Sequence, residues 1–517
     1  MKFTKYDLIL SVISGVLFPI AFTIPYAGII SWFLLIPFFM AIENKSPWNA
    51  FRLGTLTGTI ANALGFYWLI GTINRFGGFP YPISFMFHIL LSLYSGLLFA
   101  IFAYITTKLG LFRRPGLLSA LLIAAVWTSI EFLFPFLFPY GITNSQANYI
   151  PLIQIFDLFG MYSLSFLIIL VNVTLMRVIK KLSEQSPTPS LEILTSLVLI
   201  ALTITYGFWK INVENKRIAE APKIKVGIVQ ANFDFFEKNE NNEDVVSKRH
   251  RLMSEPLGSP DLIVWPETAI QAWIPMSSKF LVNDGEIVVP EIKGTYFLVG
   301  GLSYNINKIN QDKISDEDIE RFNTAFLTDS RGRILGRYHK IKLLLFGEYL
   351  PFVNYIPALK KISPATGDFT PGNELNLFEI KEKGIKIAPL ICYEDIIPSF
   401  SRKLVKKGAN LIVNLTNDAW FGRSYEPYQH LVVSVARAVE TRLYLVRATN
   451  TGVSAVIDPL GRVVAQTEIF KQATLEEEVG IMNGDKTLYT RIGNVLPWGC
   501  LAFWVGFAVV TRLRRTI

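Results

Sequence analysis

The chain has 517 residues, 51% of them hydrophobic, and a positive mean hydropathy. One water-exposed globule cannot carry that much apolar sequence. The net charge of +9 comes from basic residues scattered over short loops instead of one patch, so no nucleic-acid partner is expected.

Crossing a hydrocarbon core of roughly 30 Å takes about 20 helical residues. Predominantly apolar runs of that order lie near 8–24, 27–42, 51–73, 83–107, 116–138, 155–176, 191–209 and 495–511. Eight spans are therefore expected, with only Ile24, Pro25 and Tyr26 between the first two. The first is read as an uncleaved anchor, because no small-residue cleavage site precedes Pro25 and a second span follows at once. With the N-terminus inside, Lys2, Lys5, Lys45, Arg52, Lys108, Arg113, Arg114, Arg177, Lys180, Lys181, Arg512, Arg514 and Arg515 fall on one side. The opposite short loops offer only Arg75. Cationic loops are retained in the cytoplasm, which puts both termini there and residues 215–485 on the other face. The expected organisation is a transmembrane domain at 1–214 with about seven helices, a catalytic domain at 215–485, and a final helix with a basic tail at 486–517. Ser183–Ser190, with two prolines, reads as a cytoplasmic linker.

From residue 215 onward, apolar runs of strand length alternate with helical patterns, as in an α/β domain. Strands are expected at Lys225–Gln230, Asp261–Trp265, Tyr296–Gly300, Thr324–Thr328, Ile385–Ile391, Asn410–Asn414 and Val453–Ile457. Helices are expected at Val245–Met253, Ile396–Lys406 and Tyr428–Arg442, and a polar surface excursion at Asn305–Arg321.

Cys392 follows the apolar strand IKIAPLI and precedes Tyr393, Glu394 and Asp395. A thiol at such a strand-to-helix corner would meet the positive end of the backbone dipole, lowering its pKa; a small buried core residue is the competing explanation. Cys500 falls inside the last span, so the two cysteines are not expected to pair. An unpaired thiol in an oxidising compartment needs burial or a chemical task. Glu267 also ends a buried strand, in LIVWPETA, and Lys340 follows another in GRYHKIKLLLFGEYLPF. Strand ends are where α/β folds keep their sites, and a lysine beside a thiolate can stabilise a developing oxyanion. Taken singly, either residue would pass for a solvated surface charge. His88, His250, His339 and His430 are too dispersed for zinc, and no GK dipeptide offers a phosphate loop. No cofactor or metal is expected.

WPET at Glu267, YHK at Lys340, FGEY at Glu348 and ICYED at Cys392 resemble the carbon-nitrogen hydrolase, or nitrilase, superfamily, whose triad runs Glu, Lys, Cys. NDAWFG at 417–422, TNTGVSAVIDPLGR at 449–462 and the flanking spans make the whole chain resemble the apolipoprotein N-acyltransferase family. Trp127, Glu131, Gln154, Gly160, Ser165, Phe166 and Asn172 fit that pattern in the membrane part, as do Thr487, Tyr489, Arg491 and Gly493 before the last span. Leu345 and Asn494 depart from it, where a proline and an aspartate are expected.

The resemblance implies a polytopic helical membrane domain plus an extracytoplasmic α-β-β-α sandwich, in a multi-pass protein of the bacterial inner membrane. It implies that Cys392 takes an acyl chain from a phospholipid, typically phosphatidylethanolamine, as a thioester. The acyl chain then passes to the N-terminal diacylglyceryl-cysteine of an apolipoprotein. Glu267 would be the general base and Lys340 the oxyanion donor, with Glu348, Glu394, Tyr393 and Asn323 in support. Glu394 could equally cap the next helix. Trp420, Phe421 and Phe346, with Leu343, Leu344 and Leu345, are candidates to screen the acyl group from water, and Gln230 a candidate substrate contact; ordinary core or structural hydrogen bonding would explain them too. A monomer is expected. The alternatives are a membrane-anchored nitrilase-type amidase and a transporter or lipid sensor with a degenerate domain. Glu131 in the fifth span could face a lipid cleft or a packing network.

Overall fold

The computed structural model describes residues 4–24, 26–183, 188–233, 243–306, 318–345, 347–349 and 367–516. Two compact units divide the chain: Met1–Ile70, Tyr81–Val213 and Thr487–Ile517 form one, and Gly71–Pro80 with Glu214–Lys486 the other.

The first unit is helical. Among the described residues, five helices are long and apolar enough to cross a membrane: Lys5–Thr23, Tyr81–Lys108, Tyr162–Ser183, Ser190–Glu220 and Val495–Leu513. A sixth arises if Pro47–Gly65 and Leu69–Gly77, bent by 64°, count as one span. The expected second span is not a continuous helix, since a 3₁₀ segment at Ala27–Trp32 precedes a short helix at Ile36–Ile42. Backbone groups freed by that break need partners where water is scarce. Asn172 Oδ1 accepts from Leu35 N–H at 2.9 Å, while the Ser14 hydroxyl donates to Leu34 O at 2.7 Å and accepts from Phe38 N–H at 2.9 Å. Glu131 serves packing in the same way: its buried carboxylate accepts from Ile142 N–H at 2.8 Å, at the start of the Ile142–Gln146 turn. Helices Pro47–Gly65 and Tyr81–Lys108 approach closely because Gly58 and Gly96 carry no side chains; a Cβ on Gly58 would lie 2.5 Å from Gly96 O.

The second unit is a two-sheet α/β fold. One sheet runs Ala473–Gly480, Lys223–Gln230, Leu262–Val264, Tyr296–Ile306, Ile319–Thr328, Ile334–His339, and Ile270–Pro275 pairs with Tyr296–Ile306 off this path. The other runs Val463–Gln466, Ala455–Ile457, Leu445–Thr449, Leu411–Thr416, Ile385–Ile391, Phe378–Ile380. Strands Lys223–Gln230 and Leu445–Thr449 bring the sheets together; helix Glu243–Ser254 packs on the first sheet, and Pro398–Lys406 with Glu426–Thr441 on the second. The central strands are parallel and covered on both faces, which is why Leu411–Thr416 reads as a nearly continuous apolar run and is wholly buried.

All seven expected strands and three expected helices have counterparts within a few residues. The strand expected before Lys340 is Ile334–His339, while Ile270–Pro275, Phe378–Ile380, Leu445–Thr449, Val463–Gln466 and Ala473–Gly480 are missing from the sequence reading. Ala473–Gly480 escapes because three consecutive glutamates mask its alternation, yet it pairs antiparallel with Lys223–Gln230, and Lys223 meets Glu478 at 3.3 Å. Asn305–Arg321 is in part a strand pair, with Ile306 opposite Ile319; residues 307–317 lie outside the described residues, as do 184–187 of the expected linker.

Gly300 links fold to site. The turn carrying Glu267 crosses directly over it, and a Cβ there would lie 2.4 Å from Pro266 O and 2.7 Å from Glu267 Cα. Gly300→Val should destabilise the protein by about 1–3 kcal/mol through overpacking and displace Glu267. A lowered melting temperature with lost activity in the surviving folded fraction checks this; full activity in that fraction would show that the turn tolerates the shift.

Candidate active site

Strand ends converge at one edge of the sandwich. Glu267 follows Leu262–Val264, Lys340 follows Ile334–His339, and Cys392 follows Ile385–Ile391. Lys340 is 2% exposed, and its ammonium donates to Glu348 Oε1 at 2.8 Å and Glu267 Oε1 at 3.2 Å. Asn323 donates its amide to the same two oxygens, at 2.7 Å to Glu267 and 3.1 Å to Glu348. The backbone carbonyl of Asn323 accepts from the backbone N–H of Lys340 at 2.8 Å, so one residue orients the lysine and both acids. Glu348 Oε2 is held by Leu344 N–H at 2.8 Å. Burial pulls the Lys340 pKa down, but the carboxylates of Glu267 and Glu348 outweigh it and raise it well above the ordinary lysine value. Lys340 is a fixed cation.

Cys392 sits half-buried at the first position of the 3₁₀ turn Cys392–Ile396 with φ = 50°, a left-handed conformation unusual for a side-chain-bearing residue. Its carbonyl accepts from the Asn414 amide at 3.2 Å. The expected dipole activation is corrected here: burial, then the charge of Glu267, push the thiol pKa well above its ordinary value, and Lys340 and Thr416 offset only part of this. A five-residue 3₁₀ turn supplies too little field to compensate. The resting group is a neutral thiol beside a carboxylate, which calls for a general base.

Glu394 is completely buried and joins two of these segments. Oε1 accepts from Ile341 N–H at 2.8 Å and Lys342 N–H at 3.1 Å, just past the lysine; Oε2 accepts from Ile391 N–H at 2.9 Å and the Tyr338 hydroxyl at 2.9 Å. Burial raises its pKa to about 7 against the pull of those N–H groups. Tyr393 is half-buried, its hydroxyl pushed up to about 12 by burial and Tyr349. Trp420 and Phe421 lie on the 3₁₀ turn Asp418–Phe421, capped by Asn417, with Trp420 half-buried and Phe421 buried. Leu343, Leu344 and Leu345 are half-buried, and Phe346 lies outside the described residues. Gln230 does not fit the role of substrate contact: its amide donates to Glu468 O and Lys471 O, and its carbonyl accepts from Thr449, Ser454 and Thr467 hydroxyls. The residue ties the two sheets together instead.

Behind Cys392 lies an ionic network that sequence reasoning missed. His430 bridges Asp395 Oδ1 at 2.8 Å and Asp418 Oδ1 at 3.2 Å, while Arg447 spans Asp395 Oδ2 at 2.8 Å, Asp418 Oδ2 at 3.2 Å and Asn414 Oδ1 at 3.1 Å. The one available signal was a charge, Arg447, inside the apolar strand LVRAT. Donor atoms of Asp418, Glu426 and His430 lie within 4.8 Å of one another. Both ring nitrogens of His430 and both oxygens of Asp418 are already bonded within the protein, so two cations facing two aspartates describe the cluster without a metal.

Residues 225–480 match the model of the carbon-nitrogen hydrolases, and 14–174 match that of the apolipoprotein N-acyltransferase N-terminal domain. The folded unit with its Glu267, Lys340 and Cys392 edge is thus of the carbon-nitrogen hydrolase class. Apolipoprotein N-acyltransferase of Geobacter metallireducens is 36% identical over 98% of this chain and 95% of its own length, and that of Bdellovibrio bacteriovorus 30% identical over 92% and 87%. The chain belongs to the apolipoprotein N-acyltransferase family. A solved Nesterenkonia AN1 amidase of the nitrilase superfamily covers 53% of this chain and 95% of its own at 19% identity, with a TM-score of 0.35, and adds nothing to the assignment.

Burial and Arg447 pull the pKa of His430 down, but Asp395 and Asp418 dominate and hold it up at about 10. A folded-state value above the unfolded one means stability that is complete below about pH 6.5 and lost as pH rises toward about 10. His430→Asn should therefore melt well below the parent at pH 6, by the equivalent of about 3–5 kcal/mol, with the gap narrowing toward pH 10. A gap constant over that range would contradict a charged His430.

Proposed function

We propose that this protein N-acylates the N-terminal diacylglyceryl-cysteine of apolipoproteins with a chain taken from a membrane phospholipid, phosphatidylethanolamine above all. The observation that carries the reading is the buried Lys340 cation shared by Glu267 and Glu348, with a neutral Cys392 thiol in the field of both Glu267 and Lys340. Glu267 accepts the thiol proton as sulfur attacks the ester carbonyl, and Lys340 stabilises the tetrahedral oxyanion. Collapse breaks the ester C–O bond, Glu267 returns the proton to the departing oxygen, and lysophospholipid leaves a Cys392 thioester. The lipoprotein amine then attacks that carbonyl while Glu267 takes its proton; the C–S bond breaks, and the thiolate recovers the proton. Ester to thioester to amide ends in the most stable linkage, so no nucleotide is required. Leu343, Leu344, Leu345, Trp420 and Phe421 shield the thioester from water. Glu348 and Asn323 orient Lys340 and Glu267, and Glu394 holds the lysine and cysteine segments together.

In this reading the chain is a monomer of the bacterial inner membrane that crosses eight times, with both termini cytoplasmic and residues 215–485 outside. The distribution of Lys and Arg over alternate loops supports that orientation.

Purified enzyme with phosphatidylethanolamine and a diacylglyceryl-cysteine peptide should add one acyl chain to the peptide amine and, without peptide, to itself, as read by intact mass spectrometry. Cys392→Ala should lose both, by about 10³-fold or more, and Glu267→Gln should slow self-acylation by about 10²–10⁴-fold. Cleavage of small amides through Cys392 without either acylation would mark a membrane-anchored amidase instead.

A further inference from the structure

Residues 71–80 come from the apolar N-terminal part of the sequence yet group with the catalytic unit. They bring two side chains to the turn Asp418–Phe421 and the glycine that follows it. Phe76 meets Trp420 edge-to-face at 4.3 Å. Arg75 lies against Gly422, where a Cβ would come within 2.1–2.5 Å of Nη2, Nη1 and Cζ. Gly422 has φ = 62°, so glycine serves there both the backbone and the guanidinium. The next residue, Arg423, places its own guanidinium 5.0 Å from the Phe470 ring centroid.

Both arginines are exposed, and among the described residues neither meets a carboxylate. Among the described residues the hydrogen bond of Arg75 is that of Nε–H to Gly71 O at 3.3 Å, which leaves both Nη groups to donate. Several other cations of this unit do meet carboxylates, among them Lys223 with Glu478, Lys225 with Glu476, Lys383 with Asp261 and Lys386 with Glu379. Glu426, close by in sequence, is buried, and burial and the charge of Asp418 raise its pKa well above the ordinary carboxylate value. Two planar, unpaired guanidinium groups beside an aromatic pair form an amphipathic edge suited to a phosphodiester attached to an acyl chain. Trp420 lies on a turn that begins two residues after Thr416, which bonds the Cys392 thiol, and Arg423 follows the end of that turn by two residues. In a glycerophospholipid, one glycerol unit separates phosphate from scissile ester.

We propose that Arg75 and Arg423 form a phosphate-binding lip that captures the glycerophospholipid donor beside Cys392, with its acyl chain along Trp420 and Phe76. This rests on the phospholipid-donor reading above. Full-length protein in detergent is tested for Cys392 self-acylation with phosphatidylethanolamine and, separately, with a diacylglycerol of the same chains. Arg75→Gln and Arg423→Gln should each lower the ratio of kcat/KM for phospholipid to that for diacylglycerol by about tenfold, mostly through KM. Arg75→Lys should recover part of that ratio. An unchanged ratio overturns the lip, whether both rates hold or both fall together, since a common fall means that the arginines only brace the Trp420 turn. Equal competition by inorganic phosphate would make this a free-anion site and overturn the lipid assignment. Absence of wild-type self-acylation from any phospholipid would overturn the donor reading itself.

Discussion

A buried ammonium cannot stay charged without matched anions, and the site is built around satisfying Lys340. Removing the charge of a lysine 2% exposed would be the cheaper solution for a core. Glu267 and Glu348 prevent it, at 3.2 and 2.8 Å from the ammonium. The same arrangement sets Glu267 against a cation, while burial and the charge of Glu267 together raise the Cys392 thiol pKa. A base, a proton donor and an oxyanion partner therefore exist together before any substrate arrives.

That electrostatic core depends on three strand ends from two sheets holding register, and different polar clamps see to it. Glu394 joins the Cys392 turn to the segment just past Lys340. Asn414 restrains the carbonyl of the left-handed Cys392, and Arg447 restrains Asn414. The Asp395, His430, Asp418 and Arg447 network then couples the nucleophile turn to the one bearing Trp420. Strain at a single backbone position persists only where its surroundings are over-determined in this way.

Legibility in the sequence followed burial. Central strands such as Ile385–Ile391 and Leu411–Thr416 announced themselves as nearly continuous apolar runs, whereas Ala473–Gly480 hid behind Glu476, Glu477 and Glu478. The break at 33–35 was invisible because the partners that satisfy it, Ser14 and Asn172, are distant along the chain. The same distance concealed the role of His430, whose two carboxylate partners come from other loops.

The motifs WPET, YHK, FGEY and ICYED around Glu267, Lys340, Glu348 and Cys392, together with the apolar flanks, made the resemblance to the class legible, because short motifs and hydrophobic runs are local properties of sequence. Tertiary structure alone decided the protonation of Cys392, the commitment of Gln230 to the core, and the grouping of Arg75 and Phe76 with the catalytic unit. Those outcomes depend on which charges and apolar groups meet across hundreds of residues. Coulomb and desolvation energies follow distance in space, which linear spacing does not record.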